Sequence, residues 1–281
     1  MECFVIFVMA WCWIYATESK PHNVSNNITS KMSKFLVFIS LIFSSLTSFG
    51  QYPFEKYPSP SYSTFNNWNN IEKDTEIEET LSIPKFYKNG DTLTIKITSQ
   101  DTLETSYIRL YRSNKLFQTF TESTTFSLAD SYNKIYVADI NGDNLLDLKF
   151  YSPQPGNGIA FMNNDVIYLF QNKDENFTKI SFIDMFDYGI DSFKYRAERD
   201  FDGDHNYEII TMYLVFYDNH SYWKYDLYNY IDGKLINVSL KHKYPIMIQY
   251  LFRLNFKVTN KITQKKMQTF VDELPSGYDK E

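Results

Sequence analysis

From about Leu81 onward the chain is written in short β-like segments, the first of which alternate apolar with polar residues in a period of two that admits strands and little else. In Thr92–Thr98 (TLTIKIT), Leu93, Ile95 and Ile97 fall on one face. Tyr107–Arg112 alternates again, and Ser113-Asn114 turns it into Leu116–Phe120. Further strands are predicted over Ile135–Ala138, Leu146–Tyr151, Val166–Phe170, Ile209–Tyr217 and Tyr222–Tyr230. Asn89-Gly90 marks one turn, and Asp232-Gly233 makes a hairpin into Leu235–Leu240. An aromatic content of 18% suits this pattern, because Phe and Tyr pack well on pleated surfaces. The expectation is a mainly β chain of antiparallel sheets.

The flanks of this region read differently. Residues 51–79 carry three prolines and many polar residues without periodicity, which predicts an extended linker or arm. A β-rich domain is expected over 80–258, and a C-terminal helix and tail over 259–281. Thr259 or Asn260 would cap a helix at Lys261–Glu273, with Met267, Phe270, Val271 and Leu274 on one face and Pro275 as its stop. Lys261, Lys265 and Lys266 read as its solvated side.

The first fifty residues hold two apolar stretches, Cys3–Tyr15 and Phe35–Phe49. The second has a cationic start, a short apolar centre and small residues before a polar one, so 32–50 reads as a secretory signal peptide with a cut before Gln51. Neither stretch reaches the roughly 18 apolar residues of a membrane span, so no membrane insertion is expected after cleavage. Residues 1–31 would then be a misassigned extension if translation starts at Met32, or one half of an uncleaved anchor. The expected address is secreted, periplasmic or cell-surface. Both cysteines, Cys3 and Cys12, precede this cut. A thiol nucleophile, a cysteine-held zinc site and a stabilising disulfide are therefore excluded from the remainder.

Two short acidic segments carry the chemistry. The first runs Asp139-Ile140-Asn141-Gly142-Asp143-Asn144-Leu145-Leu146-Asp147, the second Asp200-Phe201-Asp202-Gly203-Asp204-His205-Asn206-Tyr207-Glu208. Both set oxygen side chains at positions 1, 3, 5 and 9 and glycine at position 4. Calcium takes six to eight oxygens at about 2.3–2.6 Å, and alternate residues of a tight loop can supply them. The candidate ligands are Asp139, Asn141, Asp143 and Asp147 in one loop and Asp200, Asp202, Asp204 and Glu208 in the other. The carbonyls of Leu145 and Asn206 would add one oxygen each. Crowded carboxylates repel without a cation, so two Ca2+ sites are expected. Hard oxygens without thiolates disfavour zinc and copper, and His205 falls at a non-ligand position. An EF-hand is excluded, because it needs glycine at position 6 and a carboxylate at position 12, where these loops have Asn144 and His205, then Phe150 and Thr211.

Asp-x-Asn-Gly-Asp-x-x-x-Asp between two strands resembles the calcium loop of FG-GAP and VCBS-type repeats. The resemblance implies propeller-blade-like antiparallel sheets, and the spacing of the loops suits one four-stranded blade each. The Phe-Gly-Gly-Ala-Pro-like segment of that family is missing; Ser152-Pro153-Gln154-Pro155-Gly156 follows the first loop instead. Two loops are too few for a closed propeller. The implied architecture is an open or incomplete propeller with a C-terminal helix, or a compact β-sandwich bearing the loops, with residues 81–130 as a further blade lacking the loop.

Charge and motif narrow the function. With 28 Lys and Arg against 34 Asp and Glu, the net charge is −6, which leaves no basic surplus for nucleic acid. Gly-x-Ser-x-Gly, a phosphate loop and His-Glu-x-x-His are all absent, so no catalytic residues are assigned. The expected function is a non-enzymatic, exported, calcium-binding module with a protein or glycan ligand. The alternatives are a glycan-directed hydrolase with an unassigned carboxylate site and a surface-assembly subunit docking through 51–79.

Overall fold

The alternation of the sequence becomes strand pairing that is antiparallel throughout. The computed structural model describes residues 52–73, 76–100, 105–122, 134–154, 163–185, 198–250 and 262–281, all within a unit running from Tyr52 to Glu281. The expected signal peptide and the extension before it lie outside the described residues.

After β1 (Ser63–Phe65), one sheet is a meander of β2 (Asn69–Lys73), β3 (Glu76–Ile83), β4 (Leu93–Gln100), β5 (Ser106–Arg112) and β6 (Lys115–Glu122). The chain then builds β7 (Ile135–Ala138), β8 (Asp147–Pro153), β9 (Asn163–Gln171) and β10 (Phe177–Met185) as a second meander. A third comprises β11 (Ile209–Tyr217), β12 (His220–Ile231), β13 (Lys234–Asn237) and β14 (Ile246–Gln249). The last two share one edge of β12, with β13 on Tyr228–Ile231 and β14 on Tyr222–Tyr225. A final strand, β15 (Asp279–Lys280), returns to β10 and gives the second sheet the order β1-β7-β8-β9-β10-β15. Two-residue turns with both central φ positive close β5–β6 at Ser113-Asn114, β11–β12 at Asp218-Asn219 and β12–β13 at Asp232-Gly233.

The second sheet lies between the other two. Along β9, Val166, Tyr168 and Phe170 join a core with Ile209, Leu227, Tyr228 and Leu235, whereas Ile167 and Leu169 join another with Ile95, Ile108 and Leu110. Burial on both faces is why β9 is a continuous apolar run and not an alternating one. The fold is mainly β, in three stacked antiparallel sheets, and none closes into a barrel among the described residues. No described helix is long and apolar enough to cross a membrane.

Two expectations are corrected. Residues 51–79 are not a free arm. Phe54 is fully buried with its ring 5.5 Å from that of Tyr225, β1 pairs with β7, and β2 pairs with β3. An extended backbone leaves its amides and carbonyls open, and neighbouring edges satisfy them. Aromatic side chains used one at a time leave no period in the sequence. The helix is also shorter than Lys261–Glu273. Thr263 caps α1 (Gln264–Met267) by accepting the Lys266 amide, and a 3-10 turn ends the run at Phe270. The expected caps Thr259 and Asn260 lie outside the described residues. Tertiary bonds draw the chain off its helical path: Lys224 Nζ donates to Phe270 O at 2.9 Å, and Asn237 Nδ2 to Asp272 O at 2.7 Å.

Candidate metal centre

The two acidic loops fold alike. In each, the position-1 carboxylate accepts the amides of positions 4 and 6: Gly142 and Asn144 at 2.8 Å each on Asp139, Gly203 at 2.6 Å and His205 at 3.3 Å on Asp200. The position-9 carboxylate accepts the position-2 amide, Ile140 to Asp147 at 2.8 Å and Phe201 to Glu208 at 2.9 Å. The position-7 amide donates to position 5, Leu145 to Asp143 and Asn206 to Asp204, both at 2.8 Å. Left-handed φ values recur at positions 4 and 6, +76° and +64° in the first loop, +83° and +67° in the second. Glycine at position 4 takes that conformation without the penalty a side chain incurs.

Strands hold both loops. The first is the turn of the β7–β8 hairpin, and the second springs from an antiparallel bridge between Arg199 and Glu208 just before β11. The Pro58 carbonyl accepts the Asp200 amide at 2.9 Å, and Tyr57 stacks on Phe201 with ring centroids 4.2 Å apart. The loops also touch: Tyr207 N–H donates to Ile140 O at 2.9 Å, and a methyl placed on Gly142 would lie 2.7 Å from His205 O.

They differ in how many carboxylates they carry. Oxygens of Asp200, Asp202 and Asp204 lie within 4.8 Å of one another, and Asp202 and Glu208 make a second such group with His242. The first loop has two carboxylates, Asp139 and Asp143, and the amide Asn141 where the second has the three carboxylates Asp200, Asp202 and Asp204. Asn141 Oδ1 accepts the Asp143 amide at 3.1 Å instead. Asp147 is fully buried, with both oxygens engaged by the amides of Ile140 and Gln171.

Burial sets the electrostatics. It pushes the Asp139 and Asp147 carboxyls up against the lowering effect of their backbone donors, and it pushes Glu208 up to about 7. Asp202 is held down by its hydrogen bond from Lys241, whose ammonium lies on Asp202 Oδ2. Burial lowers His242. The side chain of His205 is 79% exposed, with Nδ1 3.7 Å from Asp200 Oδ2.

Sequence reasoning missed His242 and Lys241. They lie 34 and 33 positions after Glu208 in the numbering, and nothing in their spacing marks them. The 3-10 turn Ser239–His242 brings them in, tied to β12 by the Leu227 amide donating to Ser239 Oγ at 2.9 Å. A cavity of about 770 Å³ opens beside the first loop, bounded by Asp143, Asn144 and Leu145 on one side and Lys85, Lys88 and Lys173 on the other. In comparison with known proteins, the chain matches no family model, no curated protein and no solved structure.

Proposed function

We propose that the chain is an exported, non-enzymatic β module in which two FG-GAP/VCBS-like loops bind calcium and stiffen the surface that takes a protein or glycan. The observation that carries this reading is the hydrogen-bond skeleton common to both loops. It fixes the position-1 and position-9 carboxylates against the loop backbone, and in the second loop oxygens of Asp200, Asp202 and Asp204 come within 4.8 Å of one another. Buried carboxylates left without a cation are costly, and a divalent ion reverses that cost. The cavity beside the first loop is where ion occupancy and ligand capture would be linked.

The cation also answers a stability need. The described part of the chain has no cysteine with which to form a disulfide. If each loop binds with a dissociation constant near ~10⁻⁴ M, external calcium at ~1 mM contributes about 1.4 kcal/mol per site. A thermal melt with calcium and with chelator tests this. The expected result is a midpoint that rises with calcium concentration; an unchanged midpoint removes calcium from the function.

A further inference from the structure

We propose that His242 completes the second loop's site, so that Asp202, Glu208 and His242 form a mixed nitrogen–oxygen centre for a divalent first-row transition ion of the zinc type. This rests on the reading that the second loop holds a cation, and adds to it the class of ion.

The warrant is a pair of buried atoms facing each other without a hydrogen bond. Glu208 is fully buried and the His242 side chain is 10% exposed. Neither Glu208 Oε1 nor His242 Nε2 makes a hydrogen bond, although the Asn229 side chain acts on the Glu208 carboxylate and the two atoms form a long ion pair with each other when the imidazole is protonated. They lie 3.5 Å apart. Two ligands on one tetrahedral ion with bonds of about 2.1 Å are separated by about 3.4 Å. The spacing thus suits two ligands of a shared ion, and a single cation would satisfy both atoms. Unpaired buried polar atoms otherwise cost free energy and are uncommon in folded proteins.

The third donor and the geometry around it agree. An oxygen of Asp202, an oxygen of Glu208 and a ring nitrogen of His242 lie within 4.8 Å of one another. His242 is fixed by the turn that carries it and by the Phe201 ring, 5.3 Å from its own. Glu208 is fixed through Oε2, which accepts the Phe201 amide. Preset donors of this kind favour a small ion with defined geometry over a large adaptable one. An imidazole nitrogen also shifts preference from calcium towards zinc, nickel or copper. The Lys241 ammonium now on Asp202 is the internal cation that a metal ion must displace, and its side chain is 57% exposed and able to leave.

The experiment is calorimetric titration of the full chain with ZnCl2 and, separately, with CaCl2, for the parent, His242→Gln and Lys241→Met. The parent is expected to bind Zn2+. His242→Gln should weaken Zn2+ at least tenfold and change Ca2+ affinity less than twofold, whereas Lys241→Met should tighten Zn2+. Cobalt(II) in place of zinc provides a second readout, a visible absorption band whose intensity falls in His242→Gln. Equal Zn2+ affinity in parent and His242→Gln, or weaker binding in Lys241→Met, overturns the assignment of His242 and leaves the calcium reading intact. Zn2+ failing to bind while Ca2+ binds has the same consequence. Neither ion binding overturns both readings.

Discussion

The contact between the two loops can be measured with a matched pair of substitutions. Gly142 and Gly203 occupy the same loop position with φ of +76° and +83°, so alanine at either meets the same left-handed penalty, about 1–2 kcal/mol. Their surroundings differ. A methyl on Gly142 would lie 2.7 Å from His205 O and 2.9 Å from His205 C, both backbone atoms, while a methyl on Gly203 would meet nothing within 4 Å. Forcing a carbon against fixed backbone costs a further ~1–3 kcal/mol. Alanine also restricts the unfolded chain equally at both positions, so that contribution cancels in the difference. Gly142→Ala should therefore destabilise by about 2–5 kcal/mol and Gly203→Ala by about 1–2 kcal/mol. At about 2–4 °C per kcal/mol for a domain of this size, the midpoints should separate by several degrees. Thermal unfolding followed by tryptophan fluorescence, in chelator, measures both without interference from ions. Equal losses, or a larger loss for Gly203→Ala, would refute the docking of one loop on the other.

Three further outcomes are expected. Phe54→Ala should cost about 3–5 kcal/mol in urea unfolding because Phe54 is fully buried, whereas a free arm would show no change. In chelator, the Glu208 carboxyl ionises near 4.5 in the unfolded chain and at about 7 in the fold. The native state thus holds the extra proton between those values, and stability falls as pH rises through that window, by up to about 3 kcal/mol. Glu208→Gln should remove this slope, and an unchanged slope would assign it to other groups. Glu198 is buried among Lys149, Tyr168 and Tyr62, all of which donate to it. Lys149→Met leaves that carboxylate without its cation and should cost about 3–5 kcal/mol. Adding Glu198→Gln should recover part of the loss, and strict additivity of the two changes would deny the coupling.

Much of this protein is written locally. Ile135–Ala138 and Ile209–Tyr217 are legible as strands to the residue, because their β-branched and aromatic content acts within the segment itself. Ser113-Asn114 and Asp232-Gly233 announce their hairpins, since residues that tolerate positive φ are what such turns need. The acidic loops are local as well: every bond in their common skeleton spans at most seven positions, from Ile140 to Asp147 and from Phe201 to Glu208. Other features have no local signature. β10 has no such signature, because seven of its nine residues are buried, the polar Lys179, Ser181 and Asp184 among them, so no polar face alternates with an apolar one. Phe54 is one aromatic in a proline-bearing stretch, and only the core beside Tyr225 gives it a place. His242 reaches Glu208 because β11, β12 and β13 fold back in successive hairpins, which ends the chain's return beside the second loop. Short-range periodicity and turn chemistry thus determined the strands and the shape of each loop. Which faces are buried, which loops touch and which distant side chain joins them were decided by packing three sheets together, a balance of burial over the whole domain that no window of sequence contains.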